Sequence, residues 1–215
     1  MLAQTAFPTT SSTTLRDPQV HALLRHARPS AVIFFSANSV IYAQGEQTGP
    51  LYLVEFGTVR VCRMTADGRR QINSFHYAGD VFGFDGGTEH QSYAESVDGA
   101  GVRVIRAAEP TAFGREMLTM ALVGLGRSQE HLLLLGRMSA NERIAAFILD
   151  LLERQQSDDV VMLPMQRNDI ADYLGVTFET VSRVLRVLKD RNIIRLPSVD
   201  RIEVCDAGAL ANIGR

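Results

Sequence analysis

The sequence predicts an α+β protein: an antiparallel β sandwich or barrel, then one long helix, then a helix-turn-helix followed by a β-hairpin wing. Three observations predict it. Short β-branched and aromatic runs punctuated by Gly and Asp-Gly fill Val32 to about Ala107. A helical stripe well beyond the usual globular length occupies Thr111 to Arg137. Two short helical patterns flank Gly175-Val176-Thr177, the spacing of a helix-turn-helix.

Taken in order, residues 1 to 17 are rich in Thr and Ser with few large apolar side chains, so a disordered tail is expected there. Gln19 to Ala27 spaces Val20, Leu23 and Leu24 at helical intervals before the Pro29 break. In the β region, VIFF, SVIYAQGE, LYLVEFGTVRVCRMT, QINSF and VRVIRA read as strands. Asp67-Gly68 marks a hairpin, read as a type I′ turn whose two central residues both take positive φ. The division expected is a β-rich domain over 18–110, a long helix over 111–137 and a helix-turn-helix domain over 138–215.

The long helix carries Leu118, Ala121 or Leu122, Leu125, Leu132 and Leu135 on one stripe. Such a helix either crosses a core or pairs with a second copy of itself. Gly124, Gly126, Ser128 and Gly136 interrupt the stripe but permit close backbone approach. Asn141 to Arg154 repeats the amphipathic pattern, with Ile144, Phe147, Ile148 and Leu151 inward.

Composition sets outer bounds. With 215 residues, 46% hydrophobic and 21% charged, the chain has the balance of a globular protein with a core. Cys62 and Cys205 are the only cysteines, which excludes a CxxC pair, a cysteine zinc site and a four-thiolate cluster within one chain. The N-terminus lacks a charged segment followed by an apolar one, and no apolar run reaches the ~18 residues of a membrane span, so a cytoplasmic location is expected. No nucleophile, base and orienting group come together in a motif, so no enzyme is expected. The net charge of −2 disfavours nucleic acid only on average: residues 165–201 carry seven Lys or Arg against five acids, while 1–164 carry 14 against 17.

That basic stretch holds the reading segment. Asn168 to Leu174 turns Ile170, Ala171 and Leu174 inward, Gly175 supplies a positive φ, and Thr177 is the expected N-cap of the next helix. In the second helix Val181, Val184 or Leu185, and Leu188 face the core. Glu179, Ser182, Arg183 and Arg186 then lie outside, with Phe178 at the tip. Arg183 can donate two parallel bonds to guanine, Glu179 can accept from cytosine N4, and Ser182 can serve several base edges. Phosphate contacts are assigned to Arg167, Thr177, Thr180 and Arg186, and to Arg195 and Arg201 on a wing formed by residues 192–205 around Pro197 to Asp200.

The segment RNDIADYLGVTFETVSRVLRVL, with INSFHYAGDVFGFD and NERIAAFILDL, resembles the CRP/FNR superfamily of bacterial transcription regulators over about residues 20 to 205. Its core Glu179 to Arg183 is similar to the FNR and FixK branch; the CRP branch usually has Gly where this chain has Ser182. The resemblance implies an N-terminal β-roll of the cyclic-nucleotide-binding type, a homodimer built on the long helix, and a C-terminal winged helix reading a palindrome. For this branch the implied site is TTGAT-N4-ATCAA, with Glu179 and Arg183 on its G·C pair and Ser182 near the flanking thymine. Phe178 departs from the smaller aliphatic residue usual there. An activator of low-oxygen genes that contacts RNA polymerase is implied. The candidate surfaces for that contact are the QQSDDVV loop after Arg154 and the Met64 to Arg70 hairpin.

Cofactor expectations follow from departures. Cyclic-nucleotide-binding relatives use a Gly-Glu pair and an Arg-Ser pair; here Phe84 follows Gly83, and HQSYAES offers no Arg, so cyclic nucleotide is not expected. No cysteine precedes Cys62, against the N-terminal cluster ligands of oxygen-sensing relatives. The expectation is therefore no cofactor. The alternative is a haem-dependent regulator responding to nitric oxide or oxygen, drawing on His21, His26, His76, His90 or His131. Cys62 is expected in the core. Cys205 is read either as a buried residue ending a strand or as a redox thiol stabilised by Arg195 or Arg201.

Overall fold

The computed structural model describes residues 17–214; of the tail expected over 1–17, residues 1–16 lie outside them, and Asp17 belongs to the first helix, α1 (Pro18–Arg25), as its cap. Its carboxylate accepts from the Gln19 N–H, and Val20 and Leu23 are buried. Strands β1 (Val32–Phe35), β2 (Val40–Tyr42), β3 (Leu51–Met64), β4 (Arg70–Tyr77), β5 (Val81–Phe82) and β6 (Tyr93–Ile105) follow. They form one antiparallel sheet in the order β1-β6-β3-β4, with β2 also on β6 and β5 on β3. The turn-punctuated runs predicted an antiparallel sandwich or barrel, and the single antiparallel sheet is the roll that the resemblance implied.

The central ladder is β3 with β6, and β6 is longer than the sequence suggested. Residues 93–101 give weak strand signal because Asp98, Gly99 and Gly101 interrupt the alternation. Gly99 takes φ +107°, and a Cβ on Gly101 would run into the Phe56 ring of β3. Gly57 has φ +79°, and a Cβ on it would lie 2.0 Å from the Gly99 carbonyl oxygen, where the β3–β6 register shifts. The Asp67-Gly68 hairpin exists between β3 and β4, but not as a type I′ turn. Gly68 alone takes a positive φ, and the turn closes from the Gly68 N–H to the Thr65 carbonyl, with Thr65 also bonded to Arg69. Asp67 thereby avoids the left-handed region.

Helix α2 (Pro110–Arg137) runs 28 residues and buries only Phe113, and α3 (Ala140–Arg154) starts at a capping box between Ser139 and Glu142. Then come β7 (Val160–Met162), α4 (Arg167–Leu174), α5 (Phe178–Asp190), β8 (Ile194–Ser198), β9 (Arg201–Val204) and α6 (Ala207–Ile213). Strand β7 and helix α6 were not anticipated. Val160 and Val161 belong to β7, paired with β9, so the loop after Arg154 is Gln155 to Asp159. Val161 is fully buried, which removes it from any docking loop. The wing turn is also shorter than expected: Pro197 and Ser198 are in β8, and Val199-Asp200 join it to β9.

One core crosses between the two halves. Cys62, Ile72, Phe75 and Val97 of the roll cluster with Ile144, Ile148, Ile170 and Leu174 of the helical part. Cys62 is buried as expected, and desolvation beside Glu95 pushes its thiol up to about 11. It is a core residue and not a reactive one.

Candidate nucleic-acid interface

Helices α4 and α5 meet at Gly175, which has φ +62° and closes α4 in the left-handed conformation. A methyl group would fit in the space beside it, since the atoms nearest to an added Cβ lie 3.6 Å away on Arg143 and Leu135. Gly175 is there for its φ. Arg143 reinforces the corner: its guanidinium donates to the carbonyls of Met138, Leu135 and Leu174, joining the end of α2 to the end of α4.

Thr177 is the N-cap of α5, its hydroxyl accepting from the Thr180 N–H at 3.2 Å. Val181, Val184, Leu185 and Leu188 are all buried, so the helix has one apolar face and its opposite face is fixed by geometry. On that face Glu179, Arg183 and Arg186 are exposed, Ser182 is partly so, and Phe178 is 44% exposed at the leading end. The Glu179 carboxyl is held below its usual range by its own backbone N–H and the Thr177 hydroxyl. It is therefore an anionic acceptor at neutral pH, the form needed for cytosine N4.

Among the residues assigned to phosphates, Arg167 begins α4 and donates to the Ser182 hydroxyl at 3.4 Å, tying one expected phosphate contact to one expected base reader. Arg195 is exposed on β8, opposite Glu203. Arg201 is exposed but bonded to the Glu203 carboxylate at 2.9 Å. Cys205 is exposed rather than buried, and its thiol meets the Glu203 carbonyl at 3.9 Å. The expectation of a buried strand-end residue is therefore corrected, because no layer among the described residues covers the end of β9 there.

Sequence reasoning missed the polar contact between the halves. Arg60 and Arg70 of the roll bond Asp169 and Asp172 of α4. The available signal was the Asp169–Asp172 spacing, which puts two acids on one face of α4 beside its apolar face.

A cavity of about 490 Å³ lies between the roll and α2, with His76, Asp80, Phe82, Phe84, Arg127 and His131 in its wall. Burial pushes His76 down to about 4 and also lowers His131. His76 Nε2 is bonded to the Ser74 hydroxyl at 2.9 Å, and His90 Nδ1 to Asp85 at 2.7 Å. Arg127 and Arg154 both approach Asp80, at 3.7 and 3.8 Å. No group of three or more His, Cys, Asp or Glu is gathered for a metal among the described residues.

A rolled antiparallel sheet, a long helix and a winged helix with an open reading face define a DNA-binding transcription regulator. Residues 142–213 match the Crp-like helix-turn-helix domain family, and residues 32–107 match the cyclic nucleotide-binding domain family. The chain belongs to the CRP/FNR family, and within it is FixK-like. It is 43% identical to the nitrogen fixation regulation protein FixK of Rhizobium meliloti (strain 1021), over 86% of this chain and 88% of that protein. Identity to the FixK of Azorhizobium caulinodans is 38%, over 87% and 83%. The solved structure of FixK2 from Bradyrhizobium japonicum superposes with a TM-score of 0.82 at 34% identity, covering 87% of this chain and 98% of that one. These relatives are regulators, not enzymes.

Proposed function

We propose that this protein is a homodimeric transcription activator of low-oxygen genes that reads a TTGAT-N4-ATCAA-like palindrome without a cofactor. The observation that carries the proposal is the free face of α5, where an anionic Glu179, Ser182 and Arg183 stand within one helical turn of one another. In the proposed complex Glu179 and Arg183 read the G·C pair, Ser182 meets the flanking thymine and Phe178 faces the outer bases. Arg167, Thr177, Thr180, Arg186, Arg195 and Arg201 supply backbone contacts, with Arg201 releasing Glu203 to do so.

The homodimer is supported by α2. Leu118, Leu122, Leu125, Leu132 and Leu133 are each more than half exposed on the single chain. A helix with that face cannot be crossing its own core, which leaves pairing with a second copy. Two reading helices then stand about one DNA turn apart, ~34 Å, matching a palindrome.

Absence of a bound effector is supported by the cavity chemistry. A cyclic phosphate needs an uncompensated cation, whereas at this cavity Arg154 is bonded to Asp150 and Arg127 faces Asp80. Contact with RNA polymerase is assigned to the exposed Gln155–Asp159 loop and the Thr65–Arg69 hairpin tip. The test is binding of purified protein, in air and without ligand, to the TTGAT palindrome. Tight binding supports the reading. Binding that appears only with added ligand, or a Soret band in the purified protein, replaces it with an effector-dependent regulator.

A further inference from the structure

We propose that Asp169 is a positioning residue for DNA reading, held between two arginines of the β-roll so that α5 is fixed relative to the dimer axis and one half-site spacing is accepted. The inference rests on the homodimer reading above.

Arg60 lies on β3 and Asp169 in the first turn of α4, and their side chains are only 8% and 5% exposed. Ions buried to this degree must be matched bond for bond, because each unpaired one costs several kcal/mol. They are matched. Arg60 donates from Nε to Glu95 at 2.8 Å, from Nη1 to Asp169 at 3.1 Å and from Nη2 to Asn38 at 3.1 Å. The second oxygen of Asp169 accepts from Arg70 Nη2, and Arg70 Nε reaches Asp172 at 2.8 Å. A buried network of this kind adds little net stability over an apolar contact, but it tolerates little displacement. A slip of α4 by a fraction of a turn leaves charges buried and unpaired.

What the clamp fixes follows from the packing. Helix α4 joins α5 through Ile170, Ala171 and Leu174, so holding α4 holds the reading helix. Phe178, Glu179 and Arg183 remain exposed in this arrangement, so the clamped state is one that can read DNA. The exposed leucines of α2 set where the partner lies, and the clamp sets where α5 lies relative to the roll. Together they set the separation of the two reading helices. In a regulator without an effector, side chains of the chain itself then supply the alignment.

The test compares wild type, Asp169→Asn and Arg70→Gln on duplexes with the four-base-pair spacer, with spacers one or two base pairs shorter or longer, and with a single half-site. Wild type is expected to prefer the four-base-pair spacer by about tenfold or more, since each added pair rotates and shifts one half-site against the other. Both variants are expected to shrink that ratio several-fold while half-site affinity stays within about twofold. Arg70→Gln leaves the Arg60–Asp169 pair intact, and it carries the test if Asp169→Asn fails to fold. An unchanged spacer ratio, or an equal loss on every duplex including the half-site, overturns the proposal. Amide hydrogen exchange without DNA gives a second reading: faster exchange confined to β4 and α4 in the variants supports the clamp, and unchanged protection overturns it. If wild type binds no palindrome, the function proposed above falls, and the exchange result alone decides the clamp.

Discussion

His131 of α2 lies flat against Tyr173 of α4, with ring centroids 4.1 Å apart and planes 12° from parallel. Tyr173 in turn meets Phe75 of the roll edge-on at 5.2 Å. Three elements from both halves are thus joined through one tyrosine, and burial of the imidazole in the stack favours its neutral form.

Acid is expected to loosen this junction. Burial lowers both His131 and His76, the latter from 6.5 to about 4. Between those values the unfolded chain binds more protons than the folded one. Stability is therefore complete above about pH 6.5 and is lost as pH falls toward 4, at ~1.4 kcal/mol for each unit of depression. Thermal melting between pH 7.5 and 4.5 checks this, and His76→Gln should flatten the dependence. A melting temperature that rises on acidification would refute the assignment.

Removing the guanidinium proposed to read guanine should cost affinity and selectivity together. Arg183→Ala is expected to weaken binding by about 1 to 3 kcal/mol per half-site and to relax preference at its G·C pair. Equal weakening on all sequences would make Arg183 a phosphate contact instead.

Gly175→Ala tests the corner of the helix-turn-helix. The added methyl fits sterically, so the cost is that of a left-handed alanine, on the order of 1 to 2 kcal/mol. Denaturant unfolding should show that loss without a change in slope.

Leu132→Glu addresses pairing through α2. The residue is 66% exposed on one chain, so the monomer fold should keep its circular dichroism. Sedimentation should show loss of the dimer, and palindrome binding should drop to that of a half-site.

Periodicity made the elements legible wherever one face is apolar. The α5 pattern is an example: Val181, Val184, Leu185 and Leu188 alone determine that Glu179 and Arg183 face out. Conformation set by tertiary contact was not legible. Strand β6 takes glycine at 99 for its φ of +107° and at 101 because a Cβ there would run into the Phe56 ring of β3, and a strand signal broken by glycine reads as loop. Strand β7 is three residues long and gains its identity only by pairing with β9. The Arg60–Asp169 pair joins residues 109 apart, and no local pattern encodes a partner at that distance. The exposure of Cys205 was missed for the same reason: the end of a strand looks alike whether or not another layer covers it.

The core that runs from Ile72 and Phe75 into Ile148, Ile170 and Leu174 also bears on how such regulators can be recombined. A chimera cut at the end of α2 would strip apolar surface from both pieces and leave Asp169 facing whatever the foreign roll presents. The reading helix of this protein is not a portable cartridge; its address on DNA is written partly in β3 and β4.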